Sequence, residues 1–132
     1  MTAEDVVLQF FKGCEIDYPT MCQAFRDHMT DDFTWIQAGF PTCHGVDESI
    51  AMMDRFRVAT GYACWEVEIM AIADRDDTVL VERIDHLRND AGEIFVSVPI
   101  VGVFHIRDDK ITEWHEYPDS VALGAPPFEL PA

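Results

Sequence analysis

The chain has 132 residues, with 48% hydrophobic and 26% charged residues, the profile of one globular domain that can hold a core and one small pocket but not two catalytic lobes. Nine Lys and Arg against 25 Asp and Glu give a formal charge of −16. A surplus of that size repels phosphate backbones and anionic lipid before contact, which excludes nucleic acid as a partner.

Thr2-Ala3-Glu4-Asp5 reads as a capping-box start, and Val6, Val7, Phe10, Phe11 and Cys14 follow at helical spacing, which predicts a first helix ending near Cys14 or Ile16. Pro19 suits a first helical position, and Met21, Cys22, Phe25 and Met29 line one side of a second short helix closed by Asp31-Asp32. Phe33 to Gln37 reads as a brief strand and Ala38 to Gly45 as a loop. Asp47 to Phe56 reads as a third helix with Ile50, Met53 and Phe56 inward.

From Tyr62 the hydrophobic period changes to two, with Trp65, Val67, Ile69, Ala71 and Ala73 on one face and Glu66 and Glu68 on the other. Three more strands follow, Thr78 to Arg88, Glu93 to Ile106 and Ile111 to Tyr117, separated by Asp- and Gly-rich turns. Pro99 and Gly102 are expected to mark bulges in the third of these four strands. Helices first and an antiparallel meander after them predict an α+β domain spanning 1–132, with 118–132 as a C-terminal tail.

The four cysteines, Cys14, Cys22, Cys43 and Cys64, form no C-x-x-C pair and have no His at ligand spacing, which argues against a zinc cluster. The acidic Met1 to Asp5 segment does not fit a secretory signal, so the expectation is a cytoplasmic protein with free, mostly buried thiols. The longest apolar run, Val96 to Phe104, is broken by Ser97, Pro99 and Gly102 and falls short of a membrane span.

Period two on the Thr78–Arg88 strand puts Val79, Val81, Arg83, Asp85 and Leu87 on one face. The aliphatic neighbours make that face interior, where an Arg and an Asp are costly unless they pair or serve a site. A plain structural ion pair, or a solvated face with the sidedness reversed, fits the same pattern. On the last strand Thr112, Trp114 and Glu116 share a face, and the alternative turns His115 inward and leaves Glu116 as one more surface acid. If both faces are interior, two carboxylates bridged by a guanidinium make a general acid/base set. His86 and His115 have the wrong parity to join it, and His44 reads as a solvated loop residue. Candidate pocket walls are Trp35, Phe40, Met53, Phe56, Trp65, Val81, Ile100 and Leu123, with the methionines free to shape an apolar cavity.

The run Val81-Glu82-Arg83-Ile84-Asp85, the stretch Val98 to Phe104 and the segment Asp109 to Tyr117 with Trp114-His115-Glu116-Tyr117 resemble the limonene-1,2-epoxide hydrolase family. That family lies within the nuclear transport factor 2-like, or SnoaL-like, superfamily. The resemblance implies a cone-like curved sheet wrapped around three helices, with an apolar pocket between them, and a homodimer. It implies a hydrolase without metal or organic cofactor, in which a base activates water against an epoxide, an Arg orients two acids, and the second acid protonates the epoxide oxygen. Carried over, Glu116 takes the place of the base, Arg83 that of the orienter and Asp85 that of the acid. Trp35-Ile36-Gln37 stands where the family has a water-holding Tyr-x-Asn, so Gln37 keeps an amide whereas Trp35 offers only a donor. Trp35, Gln37, Met53, Phe56, Trp65, Val81, Ile100 and Trp114 are the expected substrate contacts, and the substrate is a small hydrophobic epoxide. Two alternatives stay open: a SnoaL-like isomerase, cyclase, dehydratase or lyase moving protons on a hydrophobic or aromatic substrate, and a non-catalytic ligand-binding module.

Overall fold

The computed structural model describes residues 1–132. Helix α1 spans Ala3–Cys14 and begins at the expected capping box, with Thr2 Oγ1 accepting from Asp5 N at 3.1 Å and Asp5 accepting from Thr2 N at 3.0 Å. Its buried stripe is Val6, Val7, Phe10, Phe11 and Cys14, as the spacing predicts. Helix α2 spans Tyr18–His28, capped by Asp17, whose carboxylate accepts from Thr20 N. It ends one residue earlier than its apolar pattern suggests. Met29 is already extended and opens strand β1, Met29–Gln37, so Asp31 and Asp32 lie within the strand rather than closing the helix. Cys22 is only half-buried.

The segment read as a loop holds a two-residue strand, β2 (Cys43–His44), too short to carry any alternation. Helix α3 runs Gly45–Thr60, longer than expected at both ends, and stops at Gly61, whose φ of 79° makes the left-handed cap that residues with a Cβ resist. Strands β3 (Tyr62–Arg75), β4 (Thr78–Asn89), β5 (Ile94–Arg107) and β6 (Lys110–Pro118) complete the chain up to the C-terminal segment. Asp108 and Asp109 both take positive φ, the geometry that matches a two-residue hairpin to strand twist.

The sheet is mixed and open, in the order β2-β1-β6-β5-β4-β3. All neighbours are antiparallel except β1 and β6, which run parallel. Three helices and this sheet match the expected α+β class. Helix α1 packs across β3, β4, β5 and β6, while α3 packs on β1, β2 and β3. The core centres on Trp114, which is fully buried and stacks on Trp35 at 4.9 Å and on Phe104 at 4.9 Å.

Two strand expectations need correction. Pro99 and Gly102 sit in unbroken register, opposite Ile84 and Val81, and the irregularities of β5 fall elsewhere, opposite Leu87/Arg88 and at His105/Ile106. On β3 the register shifts between Tyr62 and Cys64 and again between Ile69 and Ala71. The first shift buries the consecutive Cys64 and Trp65, and beyond the second Ile72 is the half-buried residue while Ile69, Ala71 and Ala73 are exposed. Strict alternation along β3 therefore fails, because each bulge inverts the parity after it. The cysteines are unpaired, with Cys14, Cys43 and Cys64 buried. No helix is long and apolar enough to cross a membrane.

Candidate active site

Alternation on β4 does what its sequence implies: Val79, Val81, Arg83, Asp85 and Leu87 are all buried. On β6 the buried face carries Ile111, Trp114 and Glu116, with Thr112 only partly covered. Strand β5 lies between the two, and Gly102 stands opposite both Val81 and Glu116. It is a glycine because of what crosses it: a Cβ there would lie 2.8 Å from Arg83 Nη1, 2.8 Å from Glu116 Oε2 and 3.2 Å from Trp114 Nε1. The missing side chain gives the guanidinium its bridge between β4 and β6.

Arg83 spends that access on two forks. Its Nε donates to Asp85 Oδ1 at 2.9 Å and Nη2 to Asp85 Oδ2 at 3.2 Å. Toward β6, Nη1 donates to Glu116 Oε2 at 3.0 Å and Nη2 to Glu116 Oε1. Bidentate pairing on both sides fixes the two carboxylates against one guanidinium. The Arg83 side chain is 0% exposed, Asp85 6% and Glu116 3%. Phe11 of α1 covers the guanidinium, with its ring centroid 5.0 Å from Cζ.

The electrostatics are those of one cation shared by two acids in a buried site. Burial pushes the Glu116 carboxyl up to about 7, against the lowering pull of the Arg83 charge and its hydrogen bonds, while the Asp85 charge adds to the rise. For Arg83 burial works against the charged form, but Glu116 and Asp85 outweigh it and hold the guanidinium protonated above its ordinary range.

Asp85 and Glu116 open onto a cavity of about 370 Å³, but Arg83 does not. The guanidinium thus lies behind the two acids, out of the cavity. Trp35, Gln37, Met53, Phe56, Trp65, Ile100, Phe40 and Leu123 line this cavity, as expected. Val81 and Trp114 do not. Both are sealed in the core, Val81 on the same β4 face but further along the strand, and Trp114 under Trp35 and Phe104. Gln37 is the direct neighbour of Glu116 across the parallel β1–β6 pair, which sets an amide beside the carboxylate. The Trp35 indole N–H is buried and finds no acceptor in the protein.

Sequence reasoning missed Tyr62, Leu87, Val98, Pro118, Pro41 and Arg55 as cavity walls. Leu87 follows Asp85 by two on the same face and was readable as such. Val98 needed the register, which pairs it with Asp85. Arg55 follows Met52 by three and precedes Phe56, so helical spacing placed it on the cavity side although its charge suggested solvent. His86 and His115 point to the opposite face, where His86 meets Ser97 and Glu68, as their parity implies.

The family described as the limonene-1,2-epoxide hydrolase catalytic domain matches residues 3–124. Epoxide hydrolase EphG of Mycobacterium tuberculosis is 32% identical over 89 residues, covering 67% of this chain and 56% of that protein, so the match spans little more than half of the relative's length. The solved structure of an LEH-like epoxide hydrolase from M. tuberculosis superposes with a TM-score of 0.70 at 25% identity, covering 91% of this chain and 84% of that one. A SnoaL-like polyketide cyclase from Jannaschia sp. CCS1 superposes with a TM-score of 0.73 at 23% identity, covering 95% of this chain and 93% of that one, a likeness of fold alone. The chain, built on the nuclear transport factor 2-like or SnoaL-like fold, belongs to the limonene-1,2-epoxide hydrolase catalytic-domain family.

Proposed function

We propose that this protein is an epoxide hydrolase-like enzyme that opens a small hydrophobic epoxide to a diol by general acid/base catalysis. The observation that carries the reading is the Asp85–Arg83–Glu116 array at the wall of an otherwise largely apolar cavity. Family membership supports it independently.

In this reaction the two carboxyls share one proton: in the reactive form it sits on Asp85, and the ionised Glu116 takes a proton from a water held beside the Gln37 amide, whose oxygen bonds to an epoxide carbon. The carbon–oxygen bond of the ring breaks, its electron pair goes to the ring oxygen, and that oxygen takes the proton of Asp85. The proton then leaves Glu116 and Asp85 regains one from solvent, restoring the starting state. Arg83 keeps both carboxyls in line and carries the positive charge that stabilises whichever of them is ionised. Glu in the base position, one methylene longer than Asp, still makes both hydrogen bonds to Arg83, so the longer arm is absorbed by the pairing.

The replacement of the family's water-holding Tyr by Trp35 favours a second reading, in which the same carboxyls shuttle protons on a carbon skeleton with no captured water. Product mass separates the two. The purified protein incubated with a panel of small apolar epoxides is expected to yield products heavier by one water. Products of unchanged mass would overturn hydrolysis in favour of isomerisation.

A further inference from the structure

The outer face of the sheet, turned away from the cavity, carries a second cluster. His105 on β5 and Glu113 on β6 are direct cross-strand partners, and His115 follows Glu113 by two on the same face of β6. Their ligand atoms, one from each residue, lie within 4.8 Å of one another. His115 Nε2 is 3.5 Å from Glu113 Oε1, and His105 Nε2 is 4.0 Å from Glu113 Oε2. Two atoms each ~2.1 Å from a tetrahedral zinc ion stand roughly 3.4 Å apart, so the existing spacing needs only small side-chain rotations to close on one ion.

The second ring nitrogen of His105 is also engaged: its Nδ1 lies 3.3 Å from the Thr78 hydroxyl at the start of β4, directly across from it. A bond there fixes the ring and leaves Nε2 as the free ligand atom, the arrangement in which metal-binding histidines are held by an outer partner. The three side chains are 42%, 43% and 26% exposed for His105, Glu113 and His115, so an ion can reach them without opening the fold.

We propose that His105, Glu113 and His115 form a surface binding site for a divalent transition ion of the zinc class, separate from the cavity. Two imidazoles and one carboxylate suit zinc, cobalt and nickel and disfavour magnesium and calcium, which take oxygen ligands. Three protein ligands leave the fourth position to water. The site plays no part in the epoxide chemistry, so its failure and the failure of the hydrolase reading are independent.

Calorimetric titration of the metal-stripped protein with Zn²⁺ in a non-chelating buffer tests it, with Mg²⁺ in excess as a competitor. The expected result is one Zn²⁺ per chain at micromolar affinity, unaffected by Mg²⁺. His105→Ala and His115→Ala should each weaken it by about 10-fold or more, and Thr78→Val by up to about 10-fold. Co²⁺ bound at the site should show visible d–d bands without the near-ultraviolet band of a cobalt–thiolate bond, which distinguishes it from binding at Cys22. Because the three side chains sit partly in solvent, circular dichroism of the variants should match the parent. Absence of Zn²⁺ binding, unchanged affinity in both His variants, or a thiolate band with Co²⁺ would overturn the proposal.

Discussion

Glu116 carries a consequence that needs no substrate. Its carboxyl is raised from the ordinary 4.5 to about 7 by burial. A raised carboxyl binds a proton in the folded chain that the unfolded chain has already lost, so its contribution to stability is complete below about pH 4.5 and disappears as pH rises to about 7. At 1.36 kcal/mol for each pH unit, that loss is about 3 kcal/mol. Comparing the parent with Glu116→Gln by urea unfolding at several pH values isolates the coupled Glu116–Arg83–Asp85 array, because the groups remote from it titrate alike in both. The parent should lose stability relative to the variant across that window, and parallel curves would contradict the raised carboxyl. The free-enzyme kcat/KM should show an acidic limb near pH 7, where the base ionises.

Gly102 is the other residue whose role is read from one atom. An added methyl would stand 2.8 Å from both Arg83 Nη1 and Glu116 Oε2, and the paired network has no slack to retreat. Gly102→Ala is expected to lower kcat by about 100-fold through displacement of the carboxylates, with KM for an apolar epoxide little changed. An unaltered kcat would mean the array tolerates movement. At this scale Arg83 and Asp85 were legible from parity alone, since two charges among valines on a buried face are conspicuous. Glu116 was not, because β6 admits either sidedness, and the family resemblance supplied it. Val81 and Trp114 were misplaced for a common reason: facing inward does not distinguish the cavity wall from the core beneath it.

Among the elements, α1 and α2 meet at a point that propensity would misjudge. Gly13 lies in the last turn of α1, where Ala is favoured over Gly by about 1 kcal/mol in a helix interior. Yet a Cβ at Gly13 would come 2.6 Å from the Ala24 Cβ of α2, a methyl on a rigid backbone. Overpacking should win, and Gly13→Ala is expected to destabilise by about 1–3 kcal/mol, measured as a lower Tm and urea midpoint. A stabilised variant would show that the two helices can separate freely. The same contrast between local pattern and contact explains how far the elements could be read. Helix α1 and strand β4 follow their periodicity because each buries one continuous face. Strand β3 departs from it at two bulges, and β2 exists only through its pairing with Thr34 and Trp35. Glycine and proline in β5 suggested bulges, but Gly102 is there to admit Arg83.

For the whole molecule, charge is the dominant feature. A formal −16 on 132 residues sets up self-repulsion that the compact state feels more than the unfolded chain. Raising NaCl from a few millimolar to physiological strength shortens the screening length to roughly 8 Å, and Tm should rise with it. A Tm that falls would mean that surface pairs such as Arg107–Asp32 and Arg88–Glu66 outweigh the net repulsion. The same field repels anions, and the cavity is walled mainly by aromatic and aliphatic side chains.

In the proposed hydrolysis Glu116 and Asp85 deliver water and a proton to opposite ends of one bond. Single-turnover reaction of an apolar epoxide in heavy-oxygen water measures this most directly. The parent should form a diol carrying one solvent oxygen, while Glu116→Gln and Asp85→Asn, folded and still binding the epoxide, should each be slower by about 100-fold or more. A diol lacking the solvent label, or label incorporated by Glu116→Gln at the parent's rate, would contradict it.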